Sequence, residues 1–275
     1  MLKSIADHAK SHGLIPKKSL GQNFLFDLSL CEKIAGVSGL NANDTILEIG
    51  SGPGGLTRGI LNHKPKKLFA IETDARCIKL LEEIGAHYPN KLQVIHRDAM
   101  KMKISDISSE PLRIIANLPY HIGTALLINW LGELDRCKSI TLMLQKEVVD
   151  RICAKIDTKE YGRLSIICQA LCDVKKFFDV SAKAFYPPPK IDSSIVHLVP
   201  KAILPQKSII QALEKVTFAA FNQRRKMIRT SLKNFHIEQF GIDTSLRAEN
   251  LSVEEYLRIA EHFVSSNTER LFKSE

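Results

Sequence analysis

The residues best placed to do chemistry are Asn117-Leu118-Pro119-Tyr120, directly after the apolar run Arg113-Ile114-Ile115-Ala116, which reads as a buried strand. An amide, a proline and an aromatic at the end of such a strand suit the gripping of a flat base by its exocyclic amino group. The Asn117 side-chain oxygen and the Leu118 backbone carbonyl can each accept an N–H bond from that amine. Pro119 fixes the backbone that aims the carbonyl. The Tyr120 ring offers a face for stacking. Taken alone, the tetrapeptide is also an ordinary proline turn, so its weight depends on what lies beside it.

Three other strand ends carry similar signals. Thr45-Ile46-Leu47-Glu48-Ile49 runs into Gly50-Ser51-Gly52-Pro53-Gly54-Gly55 and then an apolar helix, the strand, glycine turn and helix that open a nucleotide-binding α/β sheet. The glycines admit a ligand close to the backbone, and the helix start offers free N–H groups. Lys67-Leu68-Phe69-Ala70-Ile71 ends at Glu72, about twenty residues past the glycines, where an acid can accept both hydroxyls of a ribose. Leu92-Gln93-Val94-Ile95-His96 leads to Asp98, a possible acceptor for an adenine amine. Gly50, Glu72, Asp98 and Asn117 thus fall at the carboxyl ends of successive expected strands, the edge along which open α/β sheets bind ligands.

The elements around these positions read less sharply. Gln22 and Asn23 precede a helical pattern in which Phe24, Leu28, Cys31 and Ile34 share a face, and their amides serve either to cap that helix or to touch a ligand. Phe185-Tyr186-Pro187-Pro188-Pro189-Lys190 is a stiff loop, suited either to present a ring to a base or to connect two strands with its rings buried. After Pro200 the pattern is helical only. Leu213 to Phe235 reads as one long or kinked helix with Phe218, Phe221, Ile228, Leu232 and Phe235 along one stripe. Arg225, Arg229 and Lys233 lie beside that stripe and Arg224 and Lys226 add charge, a face for RNA phosphates. Ser252-Val253-Glu254-Glu255 is a capping box for a last helix.

The totals agree with a nucleic-acid partner. The chain has 275 residues, 44% of them hydrophobic, and a formal net charge of +9. That is enough for one large domain and a small one, with a polyanion as the simplest partner. Six cysteines are scattered without a C-x-x-C pair, and Cys168 and Cys172 read as core thiols. Reduced cysteines, no membrane-length apolar run and no apolar signal core at the N-terminus lead to the expectation of a cytoplasmic protein.

In order and spacing, Gly21-Gln22-Asn23-Phe24-Leu25, Glu48-Ile49-Gly50-Ser51-Gly52-Pro53-Gly54, Glu72, Asp98, Asn117-Leu118-Pro119-Tyr120 and Phe185-Tyr186-Pro187-Pro188-Pro189 resemble the rRNA adenine N6-dimethyltransferases over about residues 12–265. Leu118 and the Gly21-Gln22 pair favour the branch acting on the small ribosomal subunit. The resemblance implies an α/β, Rossmann-like, seven-stranded S-adenosylmethionine-dependent methyltransferase domain over residues 1–200, its last strand antiparallel. A helical RNA- and ribosome-binding domain follows over residues 201–275. It implies dimethylation of N6 of two adjacent adenosines in the terminal stem-loop of 16S rRNA, a part in small-subunit biogenesis, and a monomeric enzyme. Cofactor contacts are then expected at Asn23, Leu25, Gly50, Glu72, Asp98 and Asn117. The catalytic group is expected to be Asn117, Leu118, Tyr120 and Phe185, with Phe185 opposite Tyr120. No metal is implied.

Three other readings compete. Gly50, Gly52 and Gly55 satisfy G-x-G-x-x-G, so an NAD-dependent oxidoreductase is one, although it leaves Asn117-Leu118-Pro119-Tyr120 without a role. A non-enzymatic RNA- or DNA-binding factor is the second. A DNA adenine methyltransferase is the third, and these usually carry Asp-Pro-Pro-Tyr where this chain has Asn117-Leu118-Pro119-Tyr120.

Overall fold

The computed structural model describes residues 2–272. The elements in chain order begin with α1 (Ile5–Ser11), β1 (Phe24–Leu25), α2 (Leu28–Val37), β2 (Thr45–Ile49), α3 (Gly55–Asn62), β3 (Lys67–Glu72), α4 (Ala75–Ala86), β4 (Leu92–His96) and β5 (Leu112–Asn117). They continue with α5 (Tyr120–Leu131), β6 (Cys137–Gln145), α6 (Lys146–Ile152), α7 (Arg163–Leu171), β7 (Cys172–Val180), β8 (Phe185–Tyr186) and β9 (Ser193–Pro200). The chain closes with α8 (Lys207–Asn222), α9 (Ile228–Ser231) and α10 (Val253–Phe272).

Seven strands form one sheet in the order β4-β3-β2-β5-β6-β9-β7. The β2–β3, β3–β4, β2–β5 and β5–β6 pairs are parallel, and β9 returns antiparallel to β6. Strand β2 is buried along its whole length, as its near-continuous apolar run requires of a central parallel strand. From β2 the chain winds outward through β3 and β4, then jumps back to β5 on the other side. The order therefore reverses at β2/β5, where such sheets open a crevice. A core of Ile34, Ile46, Ile60, Leu68, Leu81, Ile84 and Ile115 packs helices α2, α3 and α4 against the sheet.

The N-terminal segment departs from the expected helix. Phe24 and Leu25 form β1, paired antiparallel with Tyr186 and Phe185 of β8. Helix α2 starts only at Leu28, capped by Asp27, whose Oδ1 accepts from Leu30 N at 3.1 Å. Phe24 is therefore not on that helix, and Gln22 and Asn23 do not cap it.

The chain divides into two compact units, Met1–Val149 with Lys175–Pro200, and Asp150–Val174 with Lys201–Glu275. Residues 150–174, expected on sequence to belong with the first 200, fall in the second unit. There α7 packs on α8 and α10, and the buried Tyr161 hydroxyl donates to Leu251 O at 3.0 Å. An apolar helix joins whichever unit covers its apolar face, and chain position does not record that choice. Within this unit the expected long helix breaks: α8 ends at Asn222, and Ile228 N bonds Leu246 O at 2.8 Å, turning the chain away. Phe218 is exposed and lies 5.0 Å beneath the Arg163 guanidinium, off the buried stripe formed by Leu213, Val216 and Ala220. The Ser252 capping box is present, with Ser252 N on Glu255 Oε2 at 2.7 Å and Glu255 N on Ser252 Oγ at 3.2 Å.

Candidate active site

Sheet register brings the strand-end residues together. Ile49 pairs with Ile71 on one side and with Ala116 on the other, so Gly50 follows between Glu72 and Asn117. Glu72 in turn pairs with His96, two residues before Asp98. Gly50 N bonds back to Ile71 O at 2.9 Å while its φ of +70° turns the chain off the strand. A Cβ there would meet Asn117 O at 3.7 Å and Pro119 Cδ at 3.8 Å, ordinary contact distances, so it is the positive φ at the floor of the crevice that calls for glycine.

The crevice, about 940 Å³ including its open mouth, is lined by Asn23, Gly50, Glu72, Asp98, Asn117, Leu118, Tyr120 and Phe185 among others. Of the sequence-derived positions in the first unit, Leu25 alone is not among the lining residues. Its side chain is packed in the core with Cys31 and Ile34. Its carbonyl sits so close to Gly55 that any Cβ there would collide with it.

Glu72 is 7% exposed. Its Oε2 accepts from Gly52 N at 2.7 Å, and its Oε1 accepts from Thr73 N at 2.7 Å and Asp74 N at 2.8 Å. The carboxylate thus ties the glycine turn to the start of α4. Each carboxylate oxygen accepts about two bonds, so Oε2 keeps capacity for a ribose hydroxyl. Glu48 lies deeper, 1% exposed, and accepts from Thr57 Oγ1 at 2.6 Å. Burial pushes its carboxyl up to about 7, against the pull of the Thr57 and Ser51 hydroxyls, and the nearby Glu72 charge pushes the same way. The buried Ser51 hydroxyl lies near Glu48 without a well-aligned hydrogen bond of its own. Asp98 accepts from Met100 N at 2.9 Å and remains partly exposed at the crevice.

The other wall comes from the N-terminal segment, with Gln22, Asn23 and Phe24 among the lining residues. It is held from α4: Gln22 Nε2 donates to Asp74 Oδ2 at 2.8 Å, and Arg76 Nη1 donates to Ile15 O at 2.9 Å. The Arg76 guanidinium, with help from Gln22, lowers the Asp74 carboxyl to about 2, so this anchor stays charged. Asn117 Nδ2 donates to Asn23 O at 3.5 Å, which leaves Oδ1 to accept. Tyr120 opens α5 and donates to or accepts from Ser193 Oγ at 2.8 Å. Half-burial raises the phenol above its ordinary range. Phe185, 5% exposed, is fixed by the β1–β8 pairing, which joins the Asn23 wall to the ring.

A family model for ribosomal RNA adenine dimethylase matches residues 15–264. The chain belongs to the ribosomal RNA adenine dimethylase family. It is 48% identical over 269 residues to "Ribosomal RNA small subunit methyltransferase A" of Rhizobium etli, covering 94% of this chain and 97% of that one. It is 50% identical over 266 residues to the protein of the same name from Sinorhizobium medicae, with the same coverage. Among solved structures, a dimethyladenosine transferase from Plasmodium falciparum superposes with a TM-score of 0.76 at 25% identity, covering 89% of this chain and 98% of that one. The 23S rRNA methyltransferase ErmE superposes with a TM-score of 0.69 at 25% identity, covering 88% and 99%. Membership makes the protein an S-adenosylmethionine-dependent methyltransferase and sets aside the dinucleotide reading of the glycine turn. The residues present fit that cofactor: the crevice has a glycine floor and a buried carboxylate with spare acceptor capacity beside it.

Arg224, Arg225, Lys226 and Arg229 lie in the second unit. The first three occupy the turn after α8 instead of a helix face. Arg224 is engaged internally, its Nε on Glu249 Oε2 at 3.2 Å and its Nη2 on Lys159 O at 2.7 Å. Arg225, Lys226 and Arg229 are exposed. Glu48 and Ser193 were not among the sequence candidates. A lone acid inside an apolar strand was the signal available for Glu48; the place of Ser193 depends on β9 lying beside β6, which no local pattern announces.

Proposed function

We propose that the protein transfers methyl groups from S-adenosylmethionine to N6 of two adjacent adenosines in the terminal stem-loop of 16S rRNA, within the small ribosomal subunit. The observation that carries this reading is Asn117, whose amide nitrogen faces Asn23 O and whose oxygen is left to accept, at a crevice also lined by Tyr120 and Phe185.

When bound, S-adenosylmethionine supplies an electrophilic methyl on a sulfonium, so the cofactor carries the hard chemistry. Glu72 would accept the ribose hydroxyls, and Asn23, Gly50 and Asp98 would complete the cradle. The remaining difficulty is the amine, whose lone pair is delocalised into the ring. Asn117 Oδ1 and the Leu118 carbonyl accept its two N–H bonds and draw the nitrogen toward sp³ geometry. Tyr120 and Phe185, which line the same crevice, would hold the ring with N6 turned toward the cofactor's place. The methylated nitrogen would be cationic and acidic enough to give its proton to water at the open mouth of the crevice, so no strong base is required. The target leaves its stack to enter, as for other base-modifying enzymes. After the first methyl one N–H remains, and the crevice accepts the monomethyl product in a second pose.

Arg225, Lys226 and Arg229 serve RNA phosphates, while Arg224 shapes the turn that presents them. The enzyme works in the cytoplasm, on small subunits in assembly, as a monomer. Mass spectrometry of small-subunit rRNA from cells with and without the gene tests the proposal. Paired N6,N6-dimethyladenosines are expected with the gene and unmodified adenosines without it. Identical rRNA in the two strains contradicts it.

A further inference from the structure

Away from the crevice, two histidines and a glutamate converge. His8 of α1 and His12, the residue that caps the end of α1, are four residues apart and both point Nε2 at Glu83 of α4. His8 Nε2 lies 2.8 Å from Oε2, and His12 Nε2 lies 2.8 Å from Oε1. The three ligand atoms are all within 4.8 Å of one another. His8 is buried, while His12 and Glu83 reach solvent, with side chains 26% and 54% exposed.

The hydrogen bonds around His12 set a condition on what lies between these groups. His12 Nδ1 is 3.1 Å from His8 O, and a carbonyl only accepts, so Nδ1 carries the hydrogen. In the neutral ring Nε2 is then a lone pair, facing an ionised carboxylate oxygen at hydrogen-bond distance. Two acceptors do not hold that separation unless a positive species lies between them. A proton is one answer; a divalent cation is the other, and it would take the place of the proton that His8 Nε2 shares with Glu83, leaving the hydrogen on His8 Nδ1, which is buried without a hydrogen-bond partner among the described residues. A backbone carbonyl on the far ring nitrogen is the usual outer partner of a metal-bound imidazole, fixing its tautomer.

We propose that His8, His12 and Glu83 form a site for a divalent first-row transition ion of the zinc type, which pins α1 to α4. Two imidazoles and one carboxylate are a borderline-soft N/O set suited to such an ion, with the exposed side left for a water as fourth ligand. Bond lengths of about 2.0–2.2 Å put tetrahedral ligand atoms about 3.3–3.6 Å apart, so the two 2.8 Å nitrogen–oxygen pairs must open by about half an ångström or more through side-chain rotation. The consequence is mechanical. Helix α4 already holds the segment through Arg76 on Ile15 O and Asp74 on Gln22. The ion adds a third tether to a chain whose next residues line the crevice. The site is independent of the methyl-transfer reading, because its test reads metal and stability.

The experiment titrates the full-length protein with Zn²⁺ against a chromophoric chelator, alongside His12→Ala and the isosteric Glu83→Gln. The expected result is a single equivalent held by the unmodified protein and lost in both variants. The melting temperature should rise with zinc only in the unmodified protein, since an ion that binds the folded state stabilises it. Cobalt substitution of the unmodified protein decides the matter even if a variant folds poorly. Tetrahedral d–d bands without thiolate-to-metal charge transfer place the ion on N/O ligands. Zinc retained equally by both variants, a cobalt spectrum with thiolate bands, or no binding against the chelator overturns the proposal.

Discussion

The Tyr120 hydroxyl and the Ser193 hydroxyl lie 2.8 Å apart, joining the first residue of α5 to the first residue of β9. Ser193 is fully buried, so its position is set by the sheet, and through it the tilt of the Tyr120 ring is set too. The antiparallel strand β9 therefore orients a ring that begins on a parallel crossover.

Ser193→Ala is expected to slow methyl transfer roughly fivefold to tenfold, the equivalent of about 1–1.4 kcal/mol for one neutral hydrogen bond. Tyr120→Phe keeps the ring and loses the same bond, so it should match. The double variant should be no slower than either single one, because the two share one interaction. Single-turnover rates at saturating cofactor read this, and Ser193→Thr should recover most of the rate. Additive losses in the double variant would separate the two residues.

Glu72→Ala is expected to weaken S-adenosylmethionine binding by tenfold or more, from a loss of roughly 1.5–3 kcal/mol. The Gly52 amide also loses its acceptor, so the glycine turn should loosen. Calorimetric titration gives the first effect and hydrogen exchange at the turn gives the second. Unchanged affinity would remove Glu72 from the cofactor site.

Glu48 gives the protein a pH signature. Its folded carboxyl sits at about 7 against 4.5 for an ordinary one. The protonated form is thus the one the fold favours. The stability it contributes is fully present below about 4.5 and is lost as pH rises through about 7. Glu48→Gln should flatten that limb and leave the protein more stable than the unmodified chain at pH of about 8, by roughly 2–3 kcal/mol at most. Urea melts at pH of about 5 and about 8 compare the two proteins. A parallel pH trend in both would mean that Glu48 ionises freely.

The basic residues after α8, three in the turn and Arg229 in α9, are of two kinds. Arg225, Lys226 and Arg229 changed to Ala together should weaken binding to small-subunit particles. The slope of log affinity against log salt should flatten by about 0.7–0.9 for each phosphate that is no longer neutralised. Arg224→Ala should instead lower thermal stability, by about 1 kcal/mol for a half-exposed ion pair and its carbonyl bonds. A salt slope that responds to Arg224 and not to its neighbours would reverse the assignment.

Much of the crevice was legible because its residues interrupt apolar runs. Gly50, Glu72, Asp98 and Asn117 each end a run that reads as a buried strand, and parallel register aligns such ends without further instruction. The N-terminal wall was less legible. Phe24 fits a helical period with Leu28 and Cys31, yet it pairs with Tyr186, a partner far away in the chain. The break after Asn222 carries no glycine or proline, so only the Ile228–Leu246 bond reveals it. Arg224 looked like its neighbours because composition does not record that Glu249 lies opposite. Residues 150–174 were assigned by chain order, whereas the apolar face of α7 is covered by α8 and α10.

The most direct test of the central claim is single-turnover transfer of labelled methyl to unmethylated small-subunit particles, at saturating cofactor, by the unmodified protein and by Asn117→Ala. Removal of one positioned polar group of this kind costs on the order of a hundredfold or more in rate. A loss of that size is predicted, with the fold retained and both methyl groups of the unmodified reaction on N6 of adenosine. Near-normal transfer by Asn117→Ala would contradict it and reduce Asn117-Leu118-Pro119-Tyr120 to a turn at the end of β5.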